Sequence, residues 1–325
     1  MNNNDIMVSV CCITYNQENY IRDALDGFLN QKVNFNYEII VHDDASTDNT
    51  QNILKEYEKK YPDKIRVLYE EENQYQKGKK VGILTYRHAR GKYVAICEGD
   101  DYWIDENKLQ LQFDYMEKNP NCTLLFHNAK IIDMKTKEET IFVPYMKDLK
   151  KHMKKDGNYD VAELELLEFI PTASFMFKRE NLERIPDWFE KCYVGDWPLK
   201  LIMTSFGYAH YMENVMSVYR KNASGSLTTS NEKKEKASND GKKYILDRKK
   251  EVINWMDEFT QGKFKDIFEL RRNQCEIEYL MIEGKNSEIL KKGYLKSFNI
   301  KQKIKYLIKM YCPNITKLYK KINKK

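Results

Sequence analysis

A chain of 325 residues, 42% hydrophobic and 32% charged, holds enough apolar surface for one large domain with an appendage, or for two domains. Thirteen Gly and seven Pro exclude collagen-like and Gly/Ser-rich readings, and the apolar content excludes a wholly disordered chain. Net charge is +6, yet residues 291–325 hold twelve Lys and no Asp, Glu or Arg, which leaves the first 290 residues at −6. A mildly acidic body precedes a strongly basic tail. Seven cysteines, an odd count without C-x-x-C spacing, argue against a disulfide framework or structural zinc and point to a reducing cytosol. The opening MNNNDIMVSV lacks a basic region and a long apolar stretch, so it does not read as a signal peptide. No run approaches the roughly 18 consecutive apolar residues of a membrane span.

The first hundred residues alternate between two periodicities. Met7–Ile13 is a β-prone run ending at Thr14-Tyr15-Asn16, and Ile21, Leu25, Phe28 and Leu29 follow at helical spacing. Glu38–His42 is a second strand candidate, closed by Asp43-Asp44-Ala45-Ser46. A helix through Ile53, Leu54 and Tyr57 stops at Pro62-Asp63. Ile65–Tyr69 is a third strand. A helix ending near Ala89 and the strand Tyr93–Cys97 come next, with Glu98-Gly99-Asp100-Asp101 directly after. Such alternation calls for a parallel sheet with helices on both faces. Ligands of these sheets bind beyond the carboxyl ends of the strands. Thr14-Tyr15, Asp43-Asp44 and Glu98–Asp101 would therefore share one edge.

Beyond Asp101 a helix through Leu109, Phe113 and Met116 precedes shorter strands at Thr123–His127, Lys130–Asp133 and Thr140–Val143. Residues 145–160 form a polar, basic loop. Ala173–Lys178 reads as a strand, Pro198–Phe206 as a helix and Tyr208–Arg220 as one or two strands. Ser224–Lys243 reads as a linker, and helical periodicity runs from there to the end.

The acid pairs carry the chemistry. Repelling carboxylates at a crevice are stabilised by a cation or by hydrogen-bond donors, and Mg²⁺ favours one or two carboxylates together with phosphate oxygens. The plainer reading of acids after strands is that they cap helices and favour turns. Gly99 would let backbone approach a ligand closely. No H-x-x-H pair supports zinc hydrolysis, and neither a P-loop nor a G-x-G-x-x-G occurs. His42 is expected at a strand end, and His127 and His210 in the core or at its rim.

VSVCCITYNQENYI, EIIVHDDASTDNT and GKYVAICEGDDYW, in that order and spacing, resemble the nucleotide-binding half of family 2 glycosyltransferases. The resemblance implies an α/β GT-A fold: a Rossmann-like, mostly parallel sheet with helices on both faces, plus a C-terminal helical extension. The expected organisation is a domain over 1–225, with a nucleotide-binding half (1–105) and an acceptor half (106–225), and a helical region over 226–325. Thr14 and Tyr15 would line a uracil pocket, Asp44 would accept a hydrogen bond from the base with Asp43 supporting it, and Asn16, Glu18 and Gly99 would belong to the nucleotide site. Asp100 would hold Mn²⁺ or Mg²⁺ and the donor diphosphate, with Asp101 as a second metal ligand. Glu98 stands where the family usually has Asp. Lys77, Lys79 and Lys80 are placed to reach phosphate, with solvated surface as the plainer reading; Lys80 is retained as a nucleotide-site residue. Tyr193–Leu199 (YVGDWPL) resembles the family's second acidic motif, which makes Asp196 the general base; its plainer role is that of an N-cap. Tyr219-Arg220 resembles a pair that many relatives follow with His, here Asn222.

The implied activity is inverting, metal-dependent transfer from a nucleotide-sugar, expected to be a UDP-sugar, to a hydroxyl of a glycan or lipid-linked glycan acceptor. The setting would be bacterial capsule, lipopolysaccharide or related glycan synthesis. Two competing readings are a non-catalytic sugar-nucleotide or membrane-binding protein and a sugar nucleotidyltransferase. The latter would show a Gly-rich, basic signature where Thr14-Tyr15-Asn16-Gln17 stands. In the tail, Ile300, Ile304, Leu307, Ile308 and Tyr311 recur at helical spacing among lysines, and Ile315, Leu318, Tyr319 and Ile322 continue the pattern. That composition fits an anionic membrane surface, and nucleic acid is not expected. The alternative is a helix packed on the body. The expected location is cytoplasmic, peripheral on the inner face of the plasma membrane.

Overall fold

Strand β1 (Ile6–Thr14) is nearly continuously apolar, as suits a strand covered on both faces. It pairs in parallel with β2 (Asn36–Asp43) on one side and β4 (Tyr93–Glu98) on the other, and β3 (Ile65–Tyr69) extends the sheet past β2. The computed structural model describes residues 5–145, 153–167, 169–224 and 238–311. The remaining strands are β5 (Tyr102–Trp103), β6 (Cys122–Asp133), β7 (Glu139–Ile141), β8 (Asn158–Tyr159), β9 (Met176–Lys178) and β10 (Tyr208–Lys221). Among the described residues the order is β3-β2-β1-β4-β9-β6-β10-β5, with β7 beside β6 and β8 beside β10. β9 is antiparallel to both β4 and β6, whereas β6 and β10 are parallel. The order reverses between β1 and β4, so the crevice of this α/β sheet opens where Thr14 and Glu98 end their strands.

Side chains of β1 alternate between two packed faces. Val8, Val10 and Cys12 join the main core with Leu25 and Phe28 of α1 (Ile21–Leu29), Ile53 and Leu54 of α2 (Thr50–Lys60), and Leu109 and Met116 of α4 (Lys108–Lys118). Cys11 and Ile13 face Tyr86 of α3 (Val81–Tyr86). Helices thus cover both faces, as expected. Six cysteines are free and buried, and Cys312 lies outside the described residues.

Several boundaries differ from expectation. β6 runs unbroken through Asn128 because that buried amide's Oδ1 accepts from Ala129 N and Val143 N, and β10 bulges opposite it. Pro171 starts a short 3-10 turn at Thr172–Ser174, which shortens the expected strand to β9. Thr140–Val143 divides between β7 and α5 (Phe142–Tyr145). The 145–160 loop contains β8, with 146–152 outside the described residues; α6 (Val161–Glu165) follows, opened by an Asp160–Glu163 capping box. Residues 225–237 of the expected linker also lie outside, and from Asn239 the chain is helical, capped by Ser238 Oγ on Gly241 N.

The chain divides into two compact units, Met1–Ser230 and Asn231–Lys325. The second contains α8 (Asn239–Phe259), α9 (Lys265–Ile282), α10 (Asn286–Lys291) and α11 (Ile300–Tyr311). Ion pairs Lys250–Glu276 (2.8 Å) and Arg272–Asp257 (2.9 Å) join α8 to α9. No helix among the described residues is long and apolar enough to cross a membrane.

At the opposite end of β1 from Thr14, a buried carboxylate ties three segments together. Glu38 Oε1 accepts from Ser9 Oγ (2.7 Å) and Arg90 N (2.9 Å), and Oε2 accepts from Arg90 Nε (2.8 Å). Burial pushes its pKa up, but the bonds from Arg90 and Ser9 outweigh that and hold it below the usual carboxylate value. A depressed folded pKa gives stability present above the unfolded value and lost as pH falls through the folded one. Glu38→Gln is therefore expected to lower unfolding free energy by roughly 1–3 kcal/mol at neutral pH. The deficit should shrink below about pH 4, where the wild type also loses its carboxylate. Urea denaturation at pH 7 and pH 3.5 checks both.

Candidate active site

The turn after β4 is built to crowd acids. Gly99 N donates to Ile13 O (2.9 Å), seating the turn on the end of β1, and a Cβ at Gly99 would collide with Gln17 Oε1 and Thr14 Oγ1. The space that glycine leaves is thus taken by protein, which departs from the expected backbone approach to a ligand. Thr14 Oγ1 in turn donates to Gln17 Oε1 (2.8 Å). Asp101 is buried, its Oδ1 accepting from Arg220 N (2.8 Å) while Oδ2 is buried without a hydrogen-bond partner.

Arg220 is the cation of this turn. Its Nη1 donates to Asp100 O (3.0 Å), its Nη2 pairs with Asp23 of α1, and its guanidinium lies 4.3 Å over the Tyr102 ring. Tyr102-Trp103 is anchored as well. Trp103 Nε1 donates to Ala173 O (2.9 Å), and the fully buried Lys108 places its ammonium 4.0 Å over the indole while donating to Gln112 Oε1 (2.6 Å). Burial pushes the Lys108 pKa down to about 7.

Glu98, Asp100 and Asp101 crowd this turn, and Asp196 from a distant segment lies within electrostatic reach of Glu98. Burial, then the charges of Asp100 and Asp196, push Glu98 up to about 8. Burial likewise raises Asp100 to about 6, although a backbone hydrogen bond and Arg220 pull it down. Asp101 is raised well above the carboxylate range by burial and by Asp100. Glu98 also lines a narrow cavity of about 10 Å³, the size of one water, with Tyr86 and Thr172. Among the described residues no group of three or more His, Cys, Asp or Glu is placed to hold a metal ion by itself. The all-oxygen donor set and the orphaned Asp101 Oδ2 suit a hard cation completed by phosphate oxygens.

Asp196 opens α7 (Asp196–Ser205). The N-cap is Gly195, one residue earlier than expected, and makes no side-chain cap bond. The Asp196 carboxylate has no hydrogen bond or ion pair among the described residues, and it sits where a helix N-terminus favours negative charge. Trp197 Nε1 donates to Glu165 Oε2 (2.6 Å), and the buried Lys200 donates to Leu167 O, so α7 is fixed to α6 and to the segment just after it.

Other expected site residues spend their polar groups on protein. Asn16, at φ 51°, accepts through Oδ1 from Thr47 N (2.7 Å), and Glu18 Oε2 accepts from Asn49 N (2.9 Å), stapling the β1 turn to the β2 turn. Asp44 Oδ1 and Oδ2 accept from Gln74 N (2.6 Å) and Tyr75 N (3.1 Å). Asp43 Oδ2 takes Gln51 Nε2 (2.6 Å), with Oδ1 buried and unpartnered. Ala45, directly after them, sits at φ 62°, a conformation costing a non-glycine residue about 1–2 kcal/mol. Tyr15 is half-buried beyond β1. Lys80 donates to Cys192 O, bridging to the segment that carries Asp196, whereas Lys77 pairs with Glu72 and Lys79 is exposed. Asn222, at φ 60°, donates to both oxygens of Asp133 (3.1 and 3.0 Å). His127 is buried and donor–acceptor paired only through Nδ1, and His210 stacks on Tyr115 at 3.8 Å. Arg220, Lys108, Gln112 and Thr172 were not assigned roles from sequence; only the Tyr219-Arg220 pair offered a signal.

An α/β sheet with acids converging at its switch point is the frame of nucleotide-sugar enzymes with the GT-A fold, and the comparisons agree. The Glycosyl transferase family 2 model matches residues 9–185, and the chain belongs to this family. The uncharacterized protein Rv1520 of Mycobacterium tuberculosis is 35% identical over 221 residues, 67% of this chain and 60% of that protein. The chain thus spans about three fifths of that relative's length. The UDP-Glc:alpha-D-GlcNAc-diphosphoundecaprenol beta-1,3-glucosyltransferase WfgD of Escherichia coli is 34% identical over 130 residues, 40% of this chain and 48% of that one. In fold, the chain is similar to S. aureus TarS 1-349 in complex with UDP (TM-score 0.55, 15% identity, 87% and 92% of the two chains). It is also similar to mannosyltransferase PcManGT from Pyrobaculum calidifontis in complex with GDP-Man and Mn²⁺ (TM-score 0.52, 16% identity, 95% and 88%).

The Asp101–Arg220 bond gives a direct test of how the turn is held. Asp101→Ala leaves a buried N–H without an acceptor and is expected to cost roughly 1–3 kcal/mol. Asp101→Asn keeps a carbonyl oxygen for Arg220 N and should cost less than half as much. Chemical denaturation of both variants measures the difference.

Proposed function

We propose that this chain is an inverting glycosyltransferase that moves a sugar from a UDP-sugar to a hydroxyl of a glycan or lipid-linked glycan acceptor, within bacterial surface-polysaccharide synthesis. The observation that carries the reading is the meeting of Glu98, Asp100 and Asp196 at the carboxyl edge of the sheet, where their charges act on one another. The UDP in TarS and the lipid-linked acceptor named for WfgD support the donor and acceptor classes. In this reading residues 1–225 are the catalytic domain, with 1–105 serving the nucleotide and 106–225 the acceptor, and 226–325 form a separate helical region. Work would take place at the inner face of the plasma membrane.

Asp100, with Asp101 behind it, would hold Mn²⁺ or Mg²⁺; Mn²⁺ in PcManGT supports this choice. A bound divalent ion offsets the negative charge of the departing diphosphate. The chain's own groups do the rest. Thr14 and Tyr15 line the base pocket, the Tyr15 ring giving it an aromatic wall. Asp44 and Asp43 shape that pocket through the turns they bind, and Asn16, Glu18 and Gly99 lock the β1 turn that carries it. Glu98 faces the donor beside Asp100. Lys80 draws the Cys192–Asp196 segment toward the crevice. Asp196, whose carboxylate makes no hydrogen bond or ion pair among the described residues and whose helix is anchored through Trp197 and Lys200, takes the proton of the acceptor hydroxyl. A base opposite the leaving group gives single-step displacement with inversion.

Asp196→Asn should lower sugar transfer, read as UDP release from a UDP-sugar with acceptor, by about 10²–10⁴-fold. UDP affinity by calorimetry should stay within about twofold, since the base is outside the diphosphate contacts. Near-normal turnover would remove Asp196 from the role. Asp100→Ala, by contrast, should abolish the Mn²⁺-dependent part of UDP binding in the same calorimeter while leaving metal-free binding alone.

A further inference from the structure

The helical unit carries a surface that sugar transfer does not use. Ile277, Leu280, Ile289, Phe298 and Met310 form its small core, with Tyr306 packed against it. On α11 only Met310 is buried; Lys309 reaches Glu278 (3.6 Å), and Asn286 Nδ2 donates to Met310 O (3.1 Å). That face attaches the helix. The apolar side points away. Ile300 is 75% exposed, Ile304 50%, Leu307 36%, Ile308 39% and Tyr311 58%. At about 100° per residue these five occupy one arc of roughly 100°. Lys303 borders the arc on one side, and Lys301 and Lys305 on the other. The narrow Tyr306–Met310 edge packs, and the isoleucine stripe is exposed.

We propose that α11 lies on an anionic lipid surface, its Ile300–Tyr311 stripe entering the headgroup–acyl boundary and its bordering lysines binding lipid phosphates. Three observations favour a bilayer over a protein groove or a second copy. Apolar side chains flanked by lysines on both borders match a planar interface, where lysine stems lie along the apolar layer and their ammonium groups stay at headgroup level. The helix bears no acidic residue, and residues 291–325, four of whose twelve lysines lie on it, contain no Asp or Glu, so charge complementarity is to an anion. Five large apolar residues on one short helix are also more than a solvated surface ordinarily carries together. The proposal shares with the proposed function only its membrane setting, and lipid binding is read without turnover.

The test is sedimentation of the full chain with vesicles of phosphatidylglycerol and phosphatidylcholine against phosphatidylcholine alone. Binding is expected to the anionic vesicles and to weaken with salt. Ile304→Ser with Ile308→Ser should reduce it by at least tenfold. Lys301→Gln with Lys303→Gln should reduce it about fivefold per lysine. All four positions are exposed or half-exposed, and UDP-induced thermal stabilisation of each variant reports that the catalytic unit is intact. Equal binding to neutral vesicles, no vesicle binding by the wild type, or unchanged binding by the isoleucine variant overturns the proposal. So does dimerisation that is lost in the isoleucine variant while vesicle binding persists, or preferential binding to nucleic acid that survives loss of the stripe.

Discussion

The site depends on keeping several carboxylates closer together, and drier, than they would choose. Glu98 ends β4, Asp100 and Asp101 follow it, and Asp196 belongs to another segment; burial raises the first three, and neighbouring carboxylates add to the rise of Glu98 and Asp101. Such a cluster needs rigid support because each acid alone would swing toward water. Support comes from three directions. Gly99 rests on β1, Arg220 binds both the Asp100 carbonyl and the Asp101 carboxylate from β10, and Trp103 is pinned to the Thr172–Ser174 turn. The crowding of these acids is thus a property of the whole sheet rather than of one loop.

The same economy of roles appears around the turns that follow β1 and β2. Residues of the three motifs divide into those that face the crevice and those that hold the facing residues still. Asn16, Glu18 and Asp44 belong to the second group here, since their oxygens are taken up by backbone N–H groups of neighbouring turns. A motif residue need not touch a ligand to be indispensable to it. Ala45 in a left-handed conformation and Asn16 beside it mark where the two turns are forced together, the kind of strain that surrounding structure must over-determine.

Much of this was legible in the sequence because the signals were local. Apolar runs of four to eight residues alternating with helical spacing named β1 to β4 and their order of use, and the acids directly after them named the edge. Signals that fail are those whose partner lies far along the chain. Asn128 looks like a strand breaker until Val143 N is seen to satisfy it, and Pro171 shortens β9 by turning the backbone. Lys108 looks like a solvated helix start, yet its ammonium lies over Trp103 inside the core. Arg220 stands 119 residues from the carboxylate it binds, so no spacing rule connects them. Asp196 was found by its motif, but its freedom from a capping bond could be seen only once Gly195 was placed.

The matched family region ends at residue 185, well before α11 begins. The proposed chemistry and the proposed attachment therefore draw on different stretches of the chain, with different physical requirements. The catalytic unit must exclude water and fix donors to within tenths of an ångström, which demands a large core and long-range hydrogen bonds. A surface-seeking helix needs only an apolar arc, positive borders and a modest anchor, and the five-residue core beneath α11 supplies that anchor without covering the arc. Burying Met310 in place of the isoleucines leaves the apolar side chains solvated, a cost that a monomer in water has no reason to bear and that a bilayer removes. The sign of the charge makes the same selection. On that proposal, a body at −6 would be repelled by an anionic surface, and approach through the lysine-rich end would orient the molecule before any apolar contact is made.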